Sequence, residues 1–146
     1  MIKVVYHGSK TEIRGELIPH PAKDLENHPE NIPKAIYATD IKEIAIAAAI
    51  IKSKGVRCSR LNKEKPQGTI YKGFPEEKYI YLYTLHSQKF KQEGGHGHQY
   101  ISKEAVKPIK IEKLKIIEHI HKIKVATEKE SKEFFKKHRL YEFSQK

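Results

Sequence analysis

Two short segments hold the residues with the most chemistry to offer. Tyr6-His7-Gly8-Ser9 ends an apolar N-terminal stretch, and Ala35-Ile36-Tyr37-Ala38-Thr39-Asp40 follows thirty residues behind it. The first delivers an imidazole, a group that titrates near neutrality, to a glycine turn. The second ends a strand on a tyrosine and leads into a helix. A His-Gly-Ser tripeptide alone is common, and a histidine there can simply hydrogen-bond nearby backbone. The second segment, arriving with the right element around it, is what gives the pair weight. Other reactive side chains are weaker leads. His86, His96 and His98 lie close in sequence, but a zinc site needs three or four converging ligands at defined spacing and no cysteine joins them, so no metal is expected. His119 and His121 alternate as surface residues of a strand would. The single cysteine, Cys58, has no internal disulfide partner and reads as a loop thiol.

The elements that must position these groups can be read from pattern. Ile2, Val4, Val5 and Tyr6 predict a buried strand. Four prolines between Ile18 and Lys34 forbid a regular helix or central strand and predict a long loop with a few residues of ordered structure, close to the two opening segments. From Asp40 an alanine-rich run predicts a buried helix capped by Asp40, with Glu43 completing a capping box and Gly55 as its stop. Residues 57–68 lack periodicity and predict a surface loop. Thr69-Ile70-Tyr71 and Tyr79 to Leu85 predict strands, Phe90 to His98 breaks into a glycine-rich loop, and Gln99-Tyr100-Ile101-Ser102 starts another strand. Ile109 to Val125 predicts one or two amphipathic strands with lysines outward. Thr127 to Leu140 predicts an amphipathic helix carrying Phe134 and Phe135, with 141–146 as a frayed tail. The expectation is one α+β domain over 1–146 with a split or sandwiched antiparallel sheet.

The two opening segments and this order of elements resemble the ADP-ribosyltransferase superfamily, over roughly the first fifty residues and again over 79–111. The resemblance implies a split antiparallel sheet and NAD as substrate, with ADP-ribose passed to an acceptor and nicotinamide released. It implies that His7 binds the adenosine-side ribose, that Gly8 offers its backbone to the nicotinamide amide, and that Tyr37 stacks on the nicotinamide ring, with Ser9 and Ala38 beside them. The segment from His98 to Val106 resembles the one that carries the catalytic glutamate in poly(ADP-ribose) polymerases, and here the matching residue is Gln99. A glutamine can hydrogen-bond a ribose hydroxyl but cannot act as a base. Rifampin ADP-ribosyltransferases, which the chain also resembles, draw their acid from the preceding loop; that implies Glu93, with Glu104 a weaker candidate. Active relatives also add an aromatic in the helix after the tyrosine, where this chain has Ala45, Ala47, Ala48 and Ala49. Tyr71, Tyr81 and Tyr100 are candidates for the missing face.

Composition bounds what remains. The chain of 146 residues carries 29 basic against 18 acidic residues, a net charge of +11, so anions are drawn to it by a long-range field. Lysines 107, 110, 113, 115, 122 and 124, with Lys132, Lys136, Lys137 and Arg139 beyond, form the densest basic region. If the intervening isoleucines point inward, these lysines line one outer face able to meet nucleic acid or an acidic acceptor. The first residues lack a signal peptide's apolar core and no apolar run spans a membrane, so a cytoplasmic protein without membrane contact is expected. Three functions stay open: an NAD-dependent ADP-ribosyltransferase; a non-catalytic nucleotide- or nucleic-acid-binding module on the same fold; and an RNA 2′-phosphotransferase-like enzyme.

Overall fold

The computed structural model describes residues 3–21, 34–62, 67–92 and 98–138. Among them the chain forms β1 (Val4–Ser9), β2 (His20–Pro21), β3 (Lys34–Thr39), α1 (Lys42–Ile51), β4 (Val56–Asn62), β5 (Gln67–Gly73) and β6 (Tyr79–His86). It continues through β7 (Lys91–Gln92), β8 (Gln99–Ser102), β9 (Lys110–Lys115), α2 (Ile116–His119), β10 (Ile123–Val125) and α3 (Glu128–His138). The fold is α+β. A larger sheet runs β7-β8-β3-β1-β6-β9 with β2 added against β3, and a smaller one runs β10-β5-β4.

Alternation decides the faces. In β6, Ile80 and Leu82 point one way and join Ile70 of β5, Ile123 of β10 and the alanine-isoleucine surface of α1 in one core. Tyr83 and Leu85 point the other way, into a second core with Val5, Ile36, Ala38, Leu17, Phe90 and Val106. α1 therefore has apolar partners in both sheets. The second core is roofed by the segment after β1 and the one after β8, clipped together where Leu17 and Val106 exchange two backbone hydrogen bonds of 2.8 and 3.0 Å. The wholly buried Tyr83 fastens the first of these: its hydroxyl accepts from the amide of Ile13 and donates to the carbonyl of Thr11 at 3.1 Å.

Several expectations are corrected. Residues 57–68 are not a loop: most of them build β4 and the start of β5. Register shifts between Val56, Cys58 and Ser59 interrupt the period-2 pattern there, so the strand is hidden from sequence inspection. Asp40 does not cap α1. The residue in the cap position is Ile41, without a side-chain cap, so no capping box forms with Glu43. The stretch 109–125 is broken at Ile116 by α2 and a 3-10 turn, which takes His119 and His121 off any strand. Its isoleucines do not all face inward: Ile116 and Ile123 are buried, whereas Ile109, Ile111 and Ile117 are exposed. Nor are the sheets wholly antiparallel, because β10 runs parallel to β5, with Lys124 opposite Thr69. At the far end, Thr127 and Glu130 exchange the two hydrogen bonds of a capping box, and the Tyr71 ring stacks on Phe134 at 3.9 Å to seat α3 on β5. The proposed tail 141–146 lies outside the described residues. No helix among the described residues is long and apolar enough to cross a membrane.

Candidate functional site

β1 is fully paired with β6 along its length, from Val4 opposite His86 to Ser9 opposite Tyr81. Its other neighbour, β3, meets it at one register position only, Tyr6 opposite Thr39. Past that point the ladder is replaced by a side chain: the His7 ring lies 2.7 Å through Nδ1 from the carbonyl oxygen of Tyr37. A carbonyl only accepts, so Nδ1 carries the proton and Nε2 is left as an acceptor. Burial, reinforced by the charges of Lys52 and His20 and opposed by the Tyr37 carbonyl, lowers the His7 pKa to about 4. The ring is therefore neutral at pH 7. It packs edge-on to His20 at 6.3 Å and tilted against Tyr83 at 6.2 Å.

Gly8 lies on the opposite face of β1, directly beneath α1. A Cβ there would collide with the Ala45 carbonyl oxygen and stand 2.9 Å from the Ala49 Cβ, so the helix can lie this close only over a glycine. Ser9 turns its hydroxyl to its own chain, accepting from the Thr11 amide at 3.1 Å. Ala38 is buried in the second core opposite Tyr100. Since Ile36 and Ala38 face that core, Tyr37 between them projects to the α1 side, the face opposite His7. The two residues thus meet through ring and backbone rather than side by side, and a shared ligand would have to cross the sheet where β1 and β3 part.

Gln99 opens β8 opposite Thr39. Next to it, His98 Nδ1 lies 3.0 Å from Asp40 Oδ1, so Asp40 ties the end of β3 to the start of β8 instead of capping the helix. Asp40 and burial both raise the pKa of Tyr100, burial first. Glu93 lies outside the described residues. Glu104 is exposed beyond the far end of β8, in a turn where Ser102 Oγ accepts from its amide at 3.2 Å. Of the three tyrosines considered for a second aromatic face, Tyr71 is taken up by Phe134, while Tyr81 and Tyr100 lie on the face of His7.

Sequence inspection missed His20, Tyr83 and the Asp40–His98 pair. Tyr83 stands directly opposite His7 in the β1–β6 register, a pairing that no local pattern encodes; His20 sits in the proline-rich stretch and reaches His7 only because β2 pairs with Ala35 of β3. Among the described residues no group of three or more His, Cys, Asp or Glu side chains could hold a metal ion. Comparison of the chain with protein-family models, curated proteins and solved structures finds no match.

Proposed function

We propose that the parting of β1 and β3 binds NAD and that the protein is an ADP-ribosyltransferase-like enzyme. The observation that carries this reading is the hydrogen bond from His7 to the Tyr37 carbonyl, which joins the two sequence segments beside the single register pair that β1 and β3 share. The donor set suits the ligand. A neutral imidazole with a bare Nε2 accepts a ribose hydroxyl, the Gly8 backbone edge meets the nicotinamide carboxamide, and the Tyr37 ring stacks on nicotinamide from the α1 side. In the reaction the bond between ribose C1′ and the nicotinamide nitrogen breaks, and its electron pair leaves with nicotinamide. C1′ becomes cationic in character, and an acceptor nucleophile bonds to it as its proton passes to a base. Glu93 is the base in this scheme, and Gln99 a hydrogen-bonding partner of the ribose.

A second reading rests on Gln99, which stands opposite Thr39 where the family pattern has a glutamate: the same site binding a nucleotide without turning it over. Both are tested by incubating purified protein with NAD and measuring binding and nicotinamide release. The enzyme reading expects release that disappears in His7→Ala and Tyr37→Ala and falls about a hundredfold in Glu93→Gln with NAD affinity kept. Binding without release selects the second reading. A folded protein that does not bind NAD removes both.

A further inference from the structure

The face of the larger sheet that holds His7 continues past it. Ile111, Tyr83 and His7 form one row across β9, β6 and β1; Lys113, Tyr81 and Ser9 form the next; Lys115 and Tyr79 form the one after. Residues directly opposite share a face, and successive rows are about 7 Å apart along the strands. The covering changes along these rows. Tyr83 is wholly buried under the Ile13–Leu17 roof, Tyr81 only partly packs against that core, Tyr79 is partly exposed, and Lys113 and Lys115 are exposed. Beyond His7 the roof gives out and leaves two tyrosine rings and two lysines in consecutive rows. Ile111, 46% exposed, adjoins them in the row of Tyr83.

The charge of this surface is one-sided. β1, β6 and β9 contribute no carboxylate to it: Glu112 points to the α1 side, where Lys42 and Lys110 lie at 3.5 and 3.8 Å. Glu12, the acid acting on Tyr83, is itself paired with Arg14 at 3.7 Å. Lys113 folds back over Tyr79, its Nζ 4.2 Å from the ring centroid, a contact that a phosphate and a base would replace together. The other basic surface, on α3, has its rings engaged with one another, Tyr71 against Phe134.

We infer that the surface formed by Tyr79, Tyr81, Lys113 and Lys115 docks a single-stranded nucleic acid and presents it to the His7 site as the ADP-ribose acceptor. The presentation step rests on the NAD reading above; the docking does not. Flat rings one row apart can each stack an unpaired base, whereas a duplex keeps its bases stacked on each other and offers only phosphates. The lysines neutralise phosphates on either side, and a base on Tyr81 lies one row from His7. Nucleic acid fits better than an acidic peptide because the lysines stand among tyrosine rings, with Lys113 already seated over Tyr79.

The test uses the full chain without NAD and short fluorescein-labelled oligonucleotides: single-stranded RNA, single-stranded DNA and the matching duplex, titrated over a range of salt. Tight binding of either single strand, about tenfold weaker for the duplex, is expected. Lys113→Ala/Lys115→Ala should lower the slope of log affinity against log salt by about 1.4. Tyr79→Ala and Tyr81→Ala should each weaken single-strand binding about tenfold, and Tyr81→Phe, which keeps the ring and the packing, should not. Melting curves identify any variant that has unfolded, and the two lysine substitutions, being on the exposed edge, keep the test open if a tyrosine variant fails. Equal affinity for duplex, an unchanged salt slope in the lysine variant, or loss of binding in Lys132→Ala/Lys136→Ala instead would overturn the inference. Failure of the NAD reading is separable: His7→Ala should keep oligonucleotide binding, and nicotinamide release without oligonucleotide binding would sink the docking alone.

Discussion

His7 is held neutral by its surroundings, and that has a measurable sign. Its pKa is about 4 in the folded chain against 6.5 for the free side chain, so between those values the unfolded state binds more protons and stability rises with pH. Acidification from pH 7 to pH 4 should therefore cost on the order of 2–3 kcal/mol through this residue. Chemical denaturation at both pH values should show that slope, and His7→Gln should flatten it. NAD affinity should stay level from pH 8 to about 5, then fall as Nε2 gains its proton near pH 4. Gly8 makes a second residue-level demand. Gly8→Ala forces a methyl into the Ala45 carbonyl of α1, and the helix must shift to admit it. A loss of about 1–3 kcal/mol is expected in urea titration, together with loss of NAD binding because α1 and β1 both border the site.

At the scale of elements, α3 is fastened by a reciprocal cap, a Lys124–Glu130 ion pair of 2.7 Å and the Tyr71–Phe134 stack. Thr127→Ala removes one half of the cap and should lower stability by about 1 kcal/mol in thermal or urea melts, leaving the His7 site on the other sheet unaltered. That cap was legible in Thr127-Glu128-Lys129-Glu130, because the partners sit three residues apart. The strand carrying Tyr79 to Leu85 was legible too, since its alternation is unbroken. β4 was not, because its bulge shifts the alternation and Arg57 and Arg60 make it look solvated. Asp40 read as a cap because Asp before an alanine-rich run satisfies every local rule; its contact with His98 lies 58 residues away and no local pattern encodes it. Within the site, His7, Tyr37 and Gln99 were picked out by type and position. Their arrangement across opposite faces follows from one register pair, Tyr6 with Thr39, which only the folded chain supplies.

Over the whole molecule, 29 basic residues against 18 acidic ones leave a net charge of +11, which makes the folded state repel itself. Adding salt from about 10 mM to about 150 mM shortens the screening length from roughly 30 Å to 8 Å, so the melting temperature should rise, and polyphosphate should raise it at far lower concentration. A fall in melting temperature would mean that the specific ion pairs outweigh the repulsion. The parallel pairing of β10 with β5 also bears on how the chain is made. Ile123 covers the side of α1 where Ile51 and Gly68 meet, yet it is synthesised some seventy residues after the helix. On a ribosome, α1 would emerge with that flank bare and wait for the third strand of the small sheet. The nascent chain thus carries an apolar surface through about half of its elongation, and a stalled product ending before β10 is one that quality-control proteases should recognise.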